Sequence, residues 1–263
     1  MELSEHVLIG PEDGVLELVL RGGKKNALSE VGHRELAYVW PALAERKDVR
    51  VVLLRGQGAD FSAGGDFDLI ERMRADWRVR ARVWKEARDL VVNLLEFPRP
   101  VVAAIHGAAA GAGLAAALIS DIPLAATDAR LLDAHPRLGL AAGDHAALVW
   151  PLLVGLARAK YHLLLNEPVS GEEAARIGLV ARAYPPEDLL PAAREIARRL
   201  AAGSPSALSW TKHALNGWLR MALPVFDSGL ALEFLGFTGP DLAEGLASFR
   251  ERRPPRFEDE PPF

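Results

Sequence analysis

Apolar residues return along this chain with two different periods, and the periods divide it into elements. "VLELVLRG" (Val15–Gly22) alternates apolar and polar positions and closes on glycine, the pattern of a strand. From Ser29 the spacing lengthens. Leu36, Val39, Trp40 and Leu43 recur every three or four residues, which predicts a helix running to about Glu45 and capped by Ser29. "VRVVLLRG" (Val49–Gly56) is nearly continuous in apolar residues, as a strand covered on both faces would be. A turn-rich loop, "QGADFSAGGDF", follows. Asp68 to about Glu96 reads as helical, with room for more than one helix, and Pro98 and Pro100 end it. "VVAAI" (Val101–Ile105) and Asp121–Ala126 read as further strands. This β-α-β-α-β-α order implies parallel strands joined by right-handed crossovers.

The second half is mostly helical. "GDHAALVWPLLVG" and "LARAKYHLLL" read as helices broken at Gly155. In "SGEEAARIG", Ser170 caps a short helix, Glu173 completes a capping box and Gly178 stops it. "LVARAYP" is a last strand. Helical periodicity resumes near Pro186, and Gly203, Ser204 and Pro205 mark a boundary. The chain therefore divides into a core (1–200) and a helical region (201–263). The latter carries Trp210, Trp218, Phe226, Phe234 and Phe237, aromatic surface enough for a partner subunit or for its own core.

Composition narrows the classes. The chain has 263 residues, 50% of them hydrophobic, enough for one sizeable core. A net charge of -4 argues against nucleic-acid binding. The absence of cysteine excludes disulfides, thiolate nucleophiles and cysteine-ligated metals, and fits a reducing, cytoplasmic setting. The acidic N-terminal stretch has no basic segment leading into an apolar run, so no signal peptide is expected. Val101 to Ser120 carries no formal charge and is long enough to span a membrane. Its alanine and glycine content, with His106 inside it, favours a strand, loop and helix instead.

Two glycine-rich turns stand out. "FSAGGDF" (Phe61–Phe67) follows the strand at 49–56, and "HGAAAGAGLAAALISD" (His106–Asp121) follows the strand at 101–105. Such turns lie at the sheet edge where α/β proteins bind ligands. The second could cradle a phosphate, pack a core, or expose backbone N–H groups. Side by side, the two could aim two N–H donors at one oxygen, which is an oxyanion hole. A dinucleotide fingerprint fits poorly, because the spacing of Gly111, Gly113 and the alanines after them is ambiguous and the motif does not follow the first strand.

"FSAGGDF", "RPVVAAIHGAAAGAGLAAALISDIPLAA" and the "GLV" after "SGEEAARIG" resemble the enoyl-CoA hydratase/isomerase (crotonase) superfamily. The resemblance runs from "KKNAL" (Lys24–Leu28) to the C-terminal helices. It implies an α/β fold, a spiral of ββα units with a C-terminal helical region that builds trimers or hexamers. It implies a coenzyme A thioester as substrate, with no metal and no cofactor beyond the CoA of the substrate. The N–H groups of Gly65 and Ala112 would hold the thioester oxygen. Ala63, Gly64 and Asp66 would line the CoA path, with Asp66 also organising its loop. Lys24 and Lys25 would meet the CoA phosphates, or simply form a solvated turn. His106 reads as structural.

The chain departs from the family's hydratases at two places. Where they carry two glutamates, it has Ala115 and His135. Two-carboxylate hydration is therefore not expected; a single-base double-bond shift, or another enolate reaction, fits better. The base candidates are His135, which titrates near neutrality, and Asp144, which serves equally as an N-cap for a helix starting at His145. Asp133 and His145 are weaker candidates. A CoA-thioester binder without catalysis and an atypical hydratase are the alternatives, with a nicotinamide-dependent dehydrogenase disfavoured.

Overall fold

In the computed structural model, which describes residues 3–257 and 260, the alternating stretch at Val15–Leu20 is buried on both faces. Its inward carboxylate, Glu17, is tolerated because Arg55 and Arg194 donate to it at 2.7 and 2.6 Å. This strand, β2, follows β1 (Val7–Glu12), a bulged antiparallel partner that the sequence pattern does not announce. Next come α1 (Glu30–Ala44), β3 (Val51–Gly56), α2 (Phe67–Ala75) and α3 (Trp77–Glu96). Ser29 caps α1 as expected, accepting from Val31 N and Gly32 N. Asp66 caps α2 and Asp76 caps α3, which splits the long helical stretch in two.

β4 (Val101–Ile105) leads through β5 (Ala108–Ala110) directly into α4 (Gly111–Ile119), followed by β6 (Ile122–Ala126) and β7 (Arg130–Leu132). Then come α5 (Ala146–Val154), α6 (Leu156–Leu165), β8 (Val169–Ser170), α7 (Gly171–Ile177), β9 (Arg182–Tyr184) and α8 (Pro186–Ala201). The main sheet runs β1-β2-β3-β4-β6-β9 and is parallel from β2 onward. A second sheet, β5-β7-β8, stands beside it. Ser170 caps α7 through Glu173 N at 3.1 Å, and Gly178 ends it at φ 86°. The reciprocal half of the expected capping box is missing, because the Glu173 carboxylate turns to Arg176.

The remaining helices are α9 (Pro205–Leu215), α10 (Gly217–Met221), α11 (Leu223–Gly236) and α12 (Asp241–Glu251). Buried Lys212 ties α9 to the sheet, donating to Asp121 at 2.9 Å and to the Arg99 carbonyl at 3.0 Å. The C-terminal aromatics divide between the two readings. Phe226, Phe234 and Phe237 are buried in this chain's own core, whereas Trp210 and Trp218 are exposed. Arg88 of α3 holds α11 through Asp227 at 2.7 Å. Among the described residues, no helix is long and apolar enough to cross a membrane.

Candidate active site

The two glycine turns meet. Ser62 N donates to the Ala108 carbonyl at 3.0 Å and Ala110 N to the Ser62 carbonyl at 2.9 Å, so the first turn runs as a short parallel strand beside β5. Leu28 N donates to the Gly64 carbonyl and Asp66 N to the Leu28 carbonyl, which clamps the other side. Backbones cross at Gly64 (φ 81°) and Gly111 (φ 51°). A Cβ on Gly111 would stand 2.9 Å from the Gly64 Cα, so both the conformation and the contact require glycine. Gly111→Ala is expected to cost at least about 1–2 kcal/mol for the left-handed conformation alone, read as a fall in Tm.

This contact sets Gly65 and Ala112 on one cavity wall. Ala112 lies in the first turn of α4, where helical N–H groups have no intrahelical acceptor, and the N-cap Ala110 supplies no side-chain bond. Among the described residues, the Gly65 N–H has no acceptor either. The neighbouring residues do other work. The Asp66 carboxylate accepts from Leu69 N at 2.7 Å, and Ala63 N is bonded to the Lys25 carbonyl at 2.9 Å. Lys24 and Lys25 lie in an exposed turn beside this loop, with Lys25 Nζ 3.8 Å from Asp60. None of Lys24, Lys25, Ala63, Gly64 and Asp66 lines the cavity.

Ala115, His135, Asp144 and Glu233 line the same cavity. His135 begins a short 3-10 turn (Pro136–Leu138), and its carbonyl accepts from Leu138 N and Leu140 N, both at 2.9 Å. Its Nδ1 is 2.9 Å from Asp133, which fixes the ring. Nε2 faces Glu233 at 3.6 Å and Asp144 at 4.0 Å. The N-cap reading of Asp144 is corrected. His145 occupies that position and α5 starts at Ala146. The Asp144 carboxylate instead accepts from His145 N and Nδ1, both at 2.6 Å, because the adjacent imidazole is a stronger partner than the helix end. His106 lies outside this cavity, with Nδ1 against the Ala104 carbonyl at 3.3 Å.

Glu233 of α11 is the group that sequence reasoning missed. The available signal was a lone acidic residue in the otherwise uncharged stretch "GLALEFLGF". It is buried, its Oε2 has no partner among the described residues, and burial, with Asp144 and Asp133 nearby, pushes its carboxyl up to about 8. Burial opposes charge on His135 too, yet Asp133, Glu233 and Asp144 together raise it well above the ordinary imidazole range. Burial likewise opposes ionisation of Asp144, but His145 and His135 hold it below the usual carboxylate range. His145 is raised, the charge of Asp144 outweighing burial. At neutral pH Glu233 therefore keeps its proton beside the depressed Asp144 and the raised His135 and His145. The cluster thus holds a proton that leaves near pH 8. The His135, Asp144 and Glu233 ligand atoms also lie within 4.8 Å of one another, as do those of Asp133, Asp144 and His145, so each set has donors suited to a divalent cation.

Residues 10–260 match the family described as enoyl-CoA hydratase/isomerase. The chain is 31% identical to the 1,2-epoxyphenylacetyl-CoA isomerase of Escherichia coli K12, over 97% of this chain and 99% of that one. An enoyl-CoA hydratase/isomerase from Mycobacterium paratuberculosis superposes with a TM-score of 0.88 at 30% identity, over 93% of this chain and 98% of that one. A β-diketone hydrolase from the cyanobacterium Anabaena, solved with (S)-3-oxocyclohexyl acetic acid, superposes at 0.81 and 29% identity, over 89% and 94%. Paired glycine turns, a sheet that feeds both, and a match over almost the whole length lead to one conclusion: the chain belongs to the enoyl-CoA hydratase/isomerase family.

Proposed function

We propose that this chain binds a short acyl-CoA thioester and catalyses proton transfer through its enolate, moving a double bond rather than adding water. One observation carries the reading. Among the described residues, two N–H donors without an acceptor and a buried imidazole–carboxyl pair share a cavity with Ala115, which the family resemblance sets at the position of a hydratase's first glutamate. The Gly65 and Ala112 N–H groups receive the thioester oxygen as it gains charge, each donor worth about 3 kcal/mol of barrier. The His135–Glu233 pair, once it has lost the proton that leaves near pH 8, accepts one from the carbon next to the thioester and returns it further along the chain. Alanine at 115 transfers no proton. Incubation with 3-butenoyl-CoA is expected to generate the conjugated enoyl absorbance, and crotonyl-CoA is expected to keep it. Rapid loss of crotonyl-CoA absorbance with no gain from 3-butenoyl-CoA overturns the reading in favour of hydration.

A second reading draws on the Anabaena neighbour. The same pair could take a proton from water as it adds to one carbonyl of a β-diketone. The C–C bond then breaks, the enolate rests on the two N–H donors, and the pair returns the proton to carbon. Burial of His135 beside Asp144 and Glu233 favours it. Release of a keto acid from a cyclic 1,3-diketone, with CoA thioesters inert, would select it.

The exposed Trp218, Met221, Leu235, Leu164 and Leu165 support self-association. Sedimentation is expected to give three or six times the 28.5 kDa of one chain.

A further inference from the structure

The wall of the cavity built by α1 and α3 holds a polar group that the proton-transfer cluster does not use. His33 lies on the buried face of α1, and its side chain is 6% exposed. Nδ1 is 3.2 Å from Oε2 of Glu86, a buried carboxylate of α3. Arg34 Nε donates to the other Glu86 oxygen at 2.9 Å, and Arg82 Nε stands 3.6 Å from it. Burial alone would push the Glu86 carboxyl up, but hydrogen bonds from His33 and Arg34 hold it below its ordinary range. An ionised Glu86 only accepts, so the shared proton is on His33 Nδ1. In the tautomer that carries its proton on Nδ1, Nε2 is an acceptor. Among the described residues Nε2 has no partner, and His33 lines the cavity with Met73, Val83, Ala87 and Leu90. A tie between α1 and α3 accounts for Nδ1 alone, and Arg34 already neutralises Glu86 from the solvent side. An acceptor set in an apolar wall pairs with a ligand donor that reaches it.

We propose that the acyl group taken by this cavity carries a hydroxyl that donates to His33 Nε2, which makes His33 a specificity-determining residue for short hydroxyacyl-CoA thioesters. This rests on the CoA-thioester reading above. The cavity, about 80 Å³, has room for on the order of five to eight water-sized groups, which fits a short chain. A hydroxyl supplies the missing donor; a keto oxygen only accepts and leaves Nε2 bare.

Calorimetric titration of the full chain with butyryl-CoA, 3-hydroxybutyryl-CoA, 4-hydroxybutyryl-CoA and acetoacetyl-CoA tests this. The better hydroxybutyryl isomer is expected to bind about five- to tenfold tighter than butyryl-CoA, the worth of one hydrogen bond. His33→Leu is expected to erase that preference, so that the hydroxybutyryl and butyryl thioesters bind alike. His33→Phe, which keeps the ring volume, serves if the leucine variant fails to fold. Equal wild-type affinities, a preference for acetoacetyl-CoA, or a hydroxyl preference that survives both variants overturns the proposal and leaves the CoA reading standing. Binding of none of the four thioesters overturns both.

Discussion

His135→Gln is expected to lower turnover of 3-butenoyl-CoA by about 10²–10⁴-fold while the thioester still binds. The loss follows from the geometry. Asp133 holds Nδ1 at 2.9 Å, so Nε2 is the atom presented to the cavity, within reach of Glu233. Glutamine can keep a hydrogen bond to Asp133 but cannot carry a proton to or from carbon. The Gly65 and Ala112 donors are backbone groups held by the Gly64–Gly111 contact, which the substitution does not touch. Binding should therefore survive, and kcat should fall far more than KM rises. The variant also removes a cation from between Asp133 and Asp144, so a lower Tm is expected alongside. Turnover within about threefold of wild type would place the proton path elsewhere, since a positioned acid or base contributes at least about 10²-fold.

How much of this was legible in the sequence depends on the range of the signal. Local signals are legible. Ser29, Ser170 and Gly178 act at helix ends where the sequence places them, because capping involves residues two or three apart. The two glycine turns were legible as a pair, since each follows a parallel strand. What was not legible depends on distant partners. Asp144 has the sequence signature of an N-cap, yet its carboxylate belongs to His145 and faces His135. Glu173 has the signature of a capping box, yet an arginine one turn on takes its carboxylate. Glu233 enters the site from a helix 89 positions after Asp144, and only the fold shows that α11 reaches the cavity. His33 left a fainter trace. It shares the apolar face of α1 with Leu36 and Trp40, and a polar residue on such a face asks for a buried partner.

Glu233 carries the other large effect, and its two consequences have opposite signs. In the folded chain its carboxyl stays protonated up to about pH 8, against 4.5 for an unperturbed glutamate. Between those values the folded state binds more protons than the unfolded one, so stability falls as pH rises, by up to about 1.4 kcal/mol per unit. His135 is also raised, so its contribution is complete below 6.5 and is lost as pH rises through its higher folded value. Asp144 is depressed and acts the other way, with stability present above 3.8 and lost in acid. Glu233→Gln keeps the shape and the neutral charge but cannot ionise. It removes the glutamate's share of the alkaline loss, so the variant is expected to gain up to about 4 kcal/mol at pH 8 and to show a flatter dependence of Tm on pH. Turnover should move oppositely. Wild-type kcat/KM is expected to rise through an apparent pKa near 8, as the cluster sheds the proton it must lose before it can accept one from substrate. In the variant that limb disappears and turnover drops by about 10²-fold or more. A stabilised, weakly active variant without the alkaline limb matches a carboxyl kept buried and protonated at a cost in stability for the sake of proton transfer. An unchanged pH profile with an unchanged Tm slope would show that Glu233 neither ionises near pH 8 nor serves the reaction.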